Sequence, residues 1–225
     1  GQLLHLSDDG NVKVMEATAS HTYDAADEYR RTVMMIDAGD DVSYTVDFFR
    51  VLGGHTHTYS FHASSNEIAN IDGLTLVPQM KNGVYSGSYA GVDVPHGNDP
   101  GTNSGTLKYP VGYSWLKNVD RDENPENVFE VDFKIKDFNK VLKDSSGLHL
   151  RMTVFNGTNV ENGADADVAI ADGLPPQAAK NKNIDKMKYV QLRRRGNNLN
   201  TVFTTVFEPY RNEPYIKESK ELVML

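Results

Sequence analysis

The chain has 225 residues, 39% of them hydrophobic, with 31 acidic side chains against 23 basic ones, a formal net charge of -8 and no cysteine. That length suffices for a single domain burying roughly 70% of its unfolded surface, while the missing cysteine excludes disulfide staples, a thiol nucleophile and cysteine-ligated metal. The acidic balance argues against nucleic acid or an anionic membrane as partner, since both recruit concentrated Lys and Arg, and no apolar run nears the ~20 residues that span a bilayer. The sequence opens on Gly1 without a charged leader, which reads as a processed or excised piece.

Leu3, Leu4 and Leu6, the turn Ser7-Asp8-Asp9-Gly10, and Val12 and Val14 predict two short strands. His21 to Glu28 is polar and reads as a loop. Tyr29 to His62 then predicts a long hairpin turning at Ala38-Gly39-Asp40-Asp41, with another strand after Gly53-Gly54. Val42, Tyr44, Val46 and Phe48 recur at spacing two, which makes them the expected core face, with Ser43, Thr45 and Asp47 pointing away. An apolar face this long needs a second layer.

Between residues 71 and 112, glycines and prolines recur at short intervals, so that stretch reads as a loop-rich insertion with a few short strands and as a candidate binding surface. Phe129, Val131, Phe133 and Ile135 alternate with charged residues and predict a half-buried strand, and Leu148, Leu150, Met152 and Val154 predict another. Asp165 to Ala171 is a shorter candidate, ended by Pro175-Pro176. Lys188 to Arg194 and Asn200 to Phe207 read as a hairpin across Arg195-Gly196-Asn197-Asn198, the second arm covered on both faces, and the tail from Tyr215 to Leu225 as an edge strand. Phe138 to Leu142 offers one turn of helix at most. The expected fold is all-β: a large two-layer antiparallel β-sandwich with long irregular loops, one domain over 1–225.

Four groups carry possible chemistry. His55 and His57 share one strand face and, with Tyr59, could hold a metal or exchange protons, but His62 has the opposite parity; packing of His57, Tyr59 and Phe61 beneath neighbouring strands is the preferred reading. Asp120-Arg121-Asp122-Glu123-Asn124 starts like a calcium loop, yet Pro125 stands where a tight-turn glycine belongs, so a solvated acidic turn is expected. Arg193 and Arg195 share a face with Gln191 and could grip carboxylates or sulfates, or simply guard the end of a hairpin. Asn156-Gly157-Thr158 fits a glycosylation acceptor, a pattern that matters only in a eukaryotic secretory setting. No nucleophile elbow, Walker loop, dinucleotide fingerprint or HExxH pattern is present.

The string YRRTVMMID to SYTVDFFRVLGGHTHTYSFH resembles the C-terminal β-sheet region of heparinase II/III-like polysaccharide lyases: a paired-arginine strand, a strand ending in Asp-x-Phe-Arg, a glycine pair and an aromatic strand closing on histidine. Further matches follow in order at Tyr113 to Val119, Gly147 to Phe155, Ala171 to Gln177 and Tyr189 to Tyr210, so the resemblance covers nearly the whole chain, least at 71–112. It implies a part of a bacterial enzyme that cleaves uronate-containing polysaccharides, heparan sulfate or alginate among them, by β-elimination. It further implies an N-terminal α/α-toroid domain carrying the catalytic Asn and Tyr, a periplasmic or extracellular location, and a divalent metal such as zinc in the parent enzyme.

The family's catalytic His and metal ligands lie in a His-x-His, an Asp-Pro-Gly and a His-Asn-Thr. Here Asp99-Pro100-Gly101 has no His-Asn-Thr after it, and the His55 to His57 segment lies beyond the paired-arginine strand, so no catalytic, cofactor or metal residue is carried over. Three hypotheses stay open: a supporting segment of such a lyase, inactive alone; a carbohydrate-binding module stacking sugars on Trp115, Tyr85 or Tyr89; and a free-standing enzyme using His55, His57 and His62.

Overall fold

The structure is a computed structural model that describes residues 1–78, 88–89, 92–93, 116–155, 157, 165–173 and 186–220. Its strands are β1 (Gln2–Asp8), β2 (Val12–Thr18), β3 (Glu28–Gly39), β4 (Val42–Leu52), β5 (Thr56–His62), β6 (Ile68–Asp72), β7 (Val77–Pro78), β8 (Ser88–Tyr89) and β9 (Val92–Asp93). They continue with β10 (Lys117–Asp122), β11 (Phe129–Lys134), β12 (Leu148–Phe155), β13 (Asp165–Gly173), β14 (Met187–Arg195) and β15 (Asn200–Arg211). The protein is an all-β sandwich. An eight-stranded sheet in the order β1-β2-β3-β4-β15-β12-β11-β6 packs on a five-stranded sheet in the order β5-β14-β13-β10-β7, every neighbouring pair antiparallel, and β8 and β9 pair alone.

The β3–β4 hairpin closes where the sequence predicts, on Asp40 and Asp41 at φ 52° and 62°. Two successive positive φ angles define the turn whose twist matches that of paired strands, and Asp tolerates this conformation better than most residues. Between the sheets lie Val131, Phe133, Met152, Val154, Val168, Val190 and Leu192, all essentially inaccessible to water, and Phe203 beside them. Each such side chain contributes about 1.5–3 kcal/mol over its exposed state.

The two glycine-containing links reshape the predicted topology. β14 and β15 are not a hairpin, and β5 does not extend a meander with β4; at each link the chain crosses from one sheet to the other. Because β4 pairs with β15 and β5 with β14, the two crossings run side by side as one bent two-stranded ribbon. Gly53 N–H donates to the Leu199 carbonyl at 2.8 Å, Leu199 N–H to Gly54 at 3.1 Å, and Gly196 N–H to His55 at 3.0 Å. Gly53 sits at φ +92°, and a Cβ there would stand 2.5 Å from the Ala25 carbonyl oxygen, so the corner admits no side chain.

Crossing at this corner also inverts the predicted core face of β4. Asp47, Phe49 and Val51 face the second sheet, while Tyr44, Val46 and Phe48 lie half-buried on the outer face. The outer face carries a tail instead of an edge strand: residues 214–220 are irregular, and the Tyr215 and Ile216 N–H groups each donate at 2.7 Å to Glu208, whose carboxylate also receives Arg151 Nε at 2.8 Å. Val202 on β15 stays 37% exposed, so that strand is not covered on both faces throughout. No helix forms over 138–142. β6 and β7 pair with β11 and β10, which makes the start of the 71–112 stretch a part of the two sheets.

Candidate functional site

The five-stranded sheet ends at β5, which packs over β4, so β1 to β3 run past it and leave Leu6, Met15 and Met35 largely exposed. In the angle between this overhang and β5 lies a cleft of about 400 Å³, lined by Tyr29, Arg31, Phe49, Thr58, Tyr59 and Ser60, with only glycine, alanine and threonine besides. Hairpin pairing sets Arg31 opposite Phe49 and therefore diagonal to Asp47. Arg31 Nε and Nη2 grip the two Asp47 oxygens at 2.9 and 2.7 Å, and the Tyr59 hydroxyl donates to Asp47 at 2.8 Å from the other sheet. Asp47 is 1% exposed; the Arg31 side chain is half open to the cleft. Burial, then the negative charge and hydrogen bond of Asp47, raise the Tyr59 phenol far above its ordinary range, while the bond to Asp47 raises Arg31 further. Tyr59 is thus a fixed hydrogen-bond donor and carries no proton traffic near neutrality.

The histidines do not converge. His57 is buried and holds the ribbon corner: Nε2 donates to the Gly53 carbonyl at 2.6 Å, and the Thr201 hydroxyl donates to Nδ1 at 2.9 Å. Burial lowers its pKa against the smaller effect of the Gly53 bond, so the ring is neutral with both nitrogens engaged. His62 lies on the opposite face against Tyr189, ring centroids 4.8 Å apart, and burial lowers it too. His55 precedes the strand and bonds the Gly196 carbonyl. The packing reading of His57, Tyr59 and Phe61 therefore holds: Tyr59 is core, and Phe61 meets Phe207 at 4.5 Å.

Both histidines bind protons more readily unfolded than folded, which fixes a pH dependence. Their contribution to stability is complete above the unfolded value of about 6.5 and is lost as pH falls below it toward the depressed folded values. Urea midpoints should drop between pH 7.5 and 5.5, and His57→Gln should flatten that drop while lowering the midpoint at pH 7.5.

Arg193 and Arg195 meet a carboxylate of their own chain. Asp167, 1% exposed, receives Arg121 Nη2 at 2.8 Å, Arg193 Nη2 at 2.9 Å and Arg195 Nη2 at 3.2 Å. The arginines do grip a carboxylate, one of their own chain, whereas the hairpin-guard expectation fails because β14 and β15 form no hairpin. Asp120 to Asp122 belong to β10, and Asp122 is buried, accepting the Thr75 and Asn124 N–H groups at 2.6 and 2.8 Å, so the expected solvated turn is a set of structural carboxylate bonds. On the outer face Asp132 accepts from Tyr210 at 2.7 Å and pairs with His149 at 2.9 Å; burial and that bond raise Tyr210 well above its ordinary range. Asp99-Pro100-Gly101, Tyr85, Trp115, Asn156 and Thr158 lie outside the described residues, as does the side chain of Tyr89.

Among the described residues no three His, Asp or Glu side chains are grouped to hold a metal ion. The donors around His57 do not fit the divalent ion that the resemblance implies for the parent enzyme, because both ring nitrogens are already bonded.

An all-β sandwich with a cleft at its overhanging edge is the class the geometry defines. No family model and no curated protein matches the sequence. Among solved structures the chain is similar to heparan sulfate lyase HepC from Pedobacter heparinus, at 12% identity and a TM-score of 0.44, covering 93% of this chain and 22% of that one. A HepC mutant gives 13% identity and 0.46, covering 95% and 22%, and a heparinase III gene product with methylated lysines gives 12% and 0.45, covering 93% and 21%. The chain spans about a fifth of the length of these structures.

Proposed function

We propose that the chain is the C-terminal β-sandwich segment of a heparinase II/III-like polysaccharide lyase that cleaves uronate-containing polysaccharides by β-elimination. It supports the fold or the substrate cleft, forms one domain with the 71–112 stretch inserted in it, and is inactive alone. The observation that carries this reading is where the resembling motifs fall. Tyr29-Arg30-Arg31 lies on β3, Asp47 to Arg50 on β4, Gly53-Gly54 at the ribbon corner, and the later strings on β12, β14 and β15, so each is a structural part of one two-sheet body. His57 and Tyr59, the groups best suited by type to move a proton, are spent on holding that body together. Abstraction of the C5 proton and protonation of the leaving oxygen then fall to the toroid domain and the sheet's first segment in the same longer chain, exported to the periplasm or beyond.

The test compares the longer protein with residues 1–225 on a panel of uronic-acid polymers, following ultraviolet-absorbing unsaturated product. Product from the longer protein and none from the segment is expected. Turnover by the segment unaided, abolished by His57→Ala, would establish a free-standing enzyme instead.

A further inference from the structure

Resting on that reading, we propose that the cleft between β3 and β5 is a subsite for one acidic sugar unit. Its carboxylate or sulfate is held by Arg31 and its ring lies against Tyr29 and Phe49.

The donor is fixed in place before any ligand arrives. Two of the three Arg31 nitrogens, Nε and Nη2, are committed to Asp47, and Asp47 is tied in turn to Tyr59 on the opposite sheet. The guanidinium also stands 5.8 Å from the centre of the Tyr59 ring, so a ligand loses little entropy in ordering it. Nη1 is outside the Asp47 fork, on a side chain 53% exposed in the cleft.

The charge of the lining selects the ligand. Among the described residues Arg31 is the one charged side chain lining the cleft, with Gly1 the other lining residue able to carry a positive charge, in a molecule whose formal charge is -8. The nearest carboxylate, Asp47, is buried and already accepts three hydrogen bonds. Among the described residues the site therefore offers donors but no open carboxylate to accept the hydroxyl protons of a neutral sugar, and a group made only of acceptors suits it best. Thr58 on the rim pairs with Arg193, so the cleft opens beside the arginine clamp on Asp167.

The remaining lining suits a sugar ring. Tyr29 meets Phe49 edge to face at 4.9 Å, and Tyr23, 57% exposed, continues the aromatic row at 5.5 Å from Tyr29. Such a surface packs the C–H face of a pyranose, with Thr58 and Ser60 of β5 at the rim. About 400 Å³ is at the small end of ligand pockets, which run from about 300 to 1,000 Å³, and points to a single unit of a chain.

The experiment titrates the 225-residue chain by calorimetry with three oligosaccharides of equal length: an unsulfated glucuronate-containing one, a sulfated one and a neutral one. Two variants accompany it. Arg31→Gln/Asp47→Asn keeps a hydrogen-bonded pair but removes both charges, and Ala19→Phe fills the cleft from beside Tyr29, opposite which Ala19 lies, and leaves both charges in place; circular dichroism confirms that each is folded. An acidic oligosaccharide should bind, more weakly at high salt, at least about tenfold tighter than the neutral one, and should lose about tenfold or more in each folded variant. The stronger acidic ligand tells carboxylate from sulfate. Failure of the wild-type chain to bind either acidic ligand, equal binding of the neutral one, or unchanged affinity in a folded variant would overturn the subsite. Lyase activity of the longer protein with KM unaltered by Ala19→Phe would also overturn it, while leaving the lyase reading intact.

Discussion

Replacing Asp167 with alanine is expected to destabilise the protein by about 3–5 kcal/mol, because it leaves guanidinium groups buried around a missing charge. The side chains of Arg121 and Arg193 are only 10% and 12% exposed, and both donate to that one carboxylate. Without it, like charges face one another across β10, β13 and β14 in a setting where water screens them poorly. Two companion measurements separate this cause from simple loss of packing. Arg195→Ala removes a partner whose side chain is 41% exposed and should cost no more than about 1 kcal/mol. Sulfate should raise the urea midpoint over chloride at matched ionic strength by a larger margin in the Asp167→Ala protein than in the wild type, since an anion that fills the gap stabilises by mass action beyond the general effect of sulfate. A loss below about 1 kcal/mol, or the same sulfate margin in variant and wild type, would mean that the clamp is not electrostatic.

Glu208→Ala should rank next, at about 3 kcal/mol, and its signature is local. Glu208 is 1% exposed and accepts Arg151 on one oxygen and two backbone N–H groups on the other. Those N–H groups belong to Tyr215 and Ile216, and Arg151 Nη2 donates to the Ile216 carbonyl at 2.7 Å, so one carboxylate and one guanidinium clasp the tail from both sides. Hydrogen exchange in the variant should show the Tyr215 and Ile216 amides unprotected while those of β11 and β12 keep their protection. If both amides stay protected, the tail is held by its side chains and the carboxylate is incidental. Arg151→Ala should release the same two amides, because it removes the guanidinium that holds the Glu208 carboxylate and the Ile216 carbonyl in place.

The two-layer architecture was legible in the sequence because alternation is local. Phe129 to Phe133 and Leu148 to Val154 each put their apolar set on the buried face, and both segments form strands as expected. What failed was the assignment of partners and of one face. On β4 both sets of alternate residues are apolar in part, and the face that includes Asp47 wins because Arg31 and Tyr59 neutralise the carboxylate. That compensation is partly non-local and gives no periodic signal. Gly53-Gly54 and Gly196 look like hairpin turns in sequence, and only the pairing of β4 with β15 and of β5 with β14 shows that they carry the chain between layers.

Of the site, the parity argument that sets His62 opposite His57 was readable and holds, whereas His55 lies before the strand and does not share its face with His57. The Arg31 to Asp47 grip was missed, and hairpin arithmetic does not find it: counting back from the turn at Asp40-Asp41 sets Arg31 opposite Arg50, and only the register shift between Asp37 and Gly39 moves it opposite Phe49, one diagonal step from Asp47. The clamp on Asp167 was out of reach, since its members come from three strands far apart in sequence.

The bent ribbon has a consequence for how the molecule is made. His57 and Thr201, which lock its corner, are 144 positions apart, so a ribosome must add most of the chain after His57 before the lock can form. During that wait the first hairpin displays Phe49 and the Asp47 carboxylate with no opposite sheet to receive them, and closing so long a loop slows the final step. Nascent chains stalled before Thr201 should accordingly be chaperone clients, and emergence of β15 from the ribosome rather than synthesis of any earlier strand should mark the moment of acquiring protease resistance.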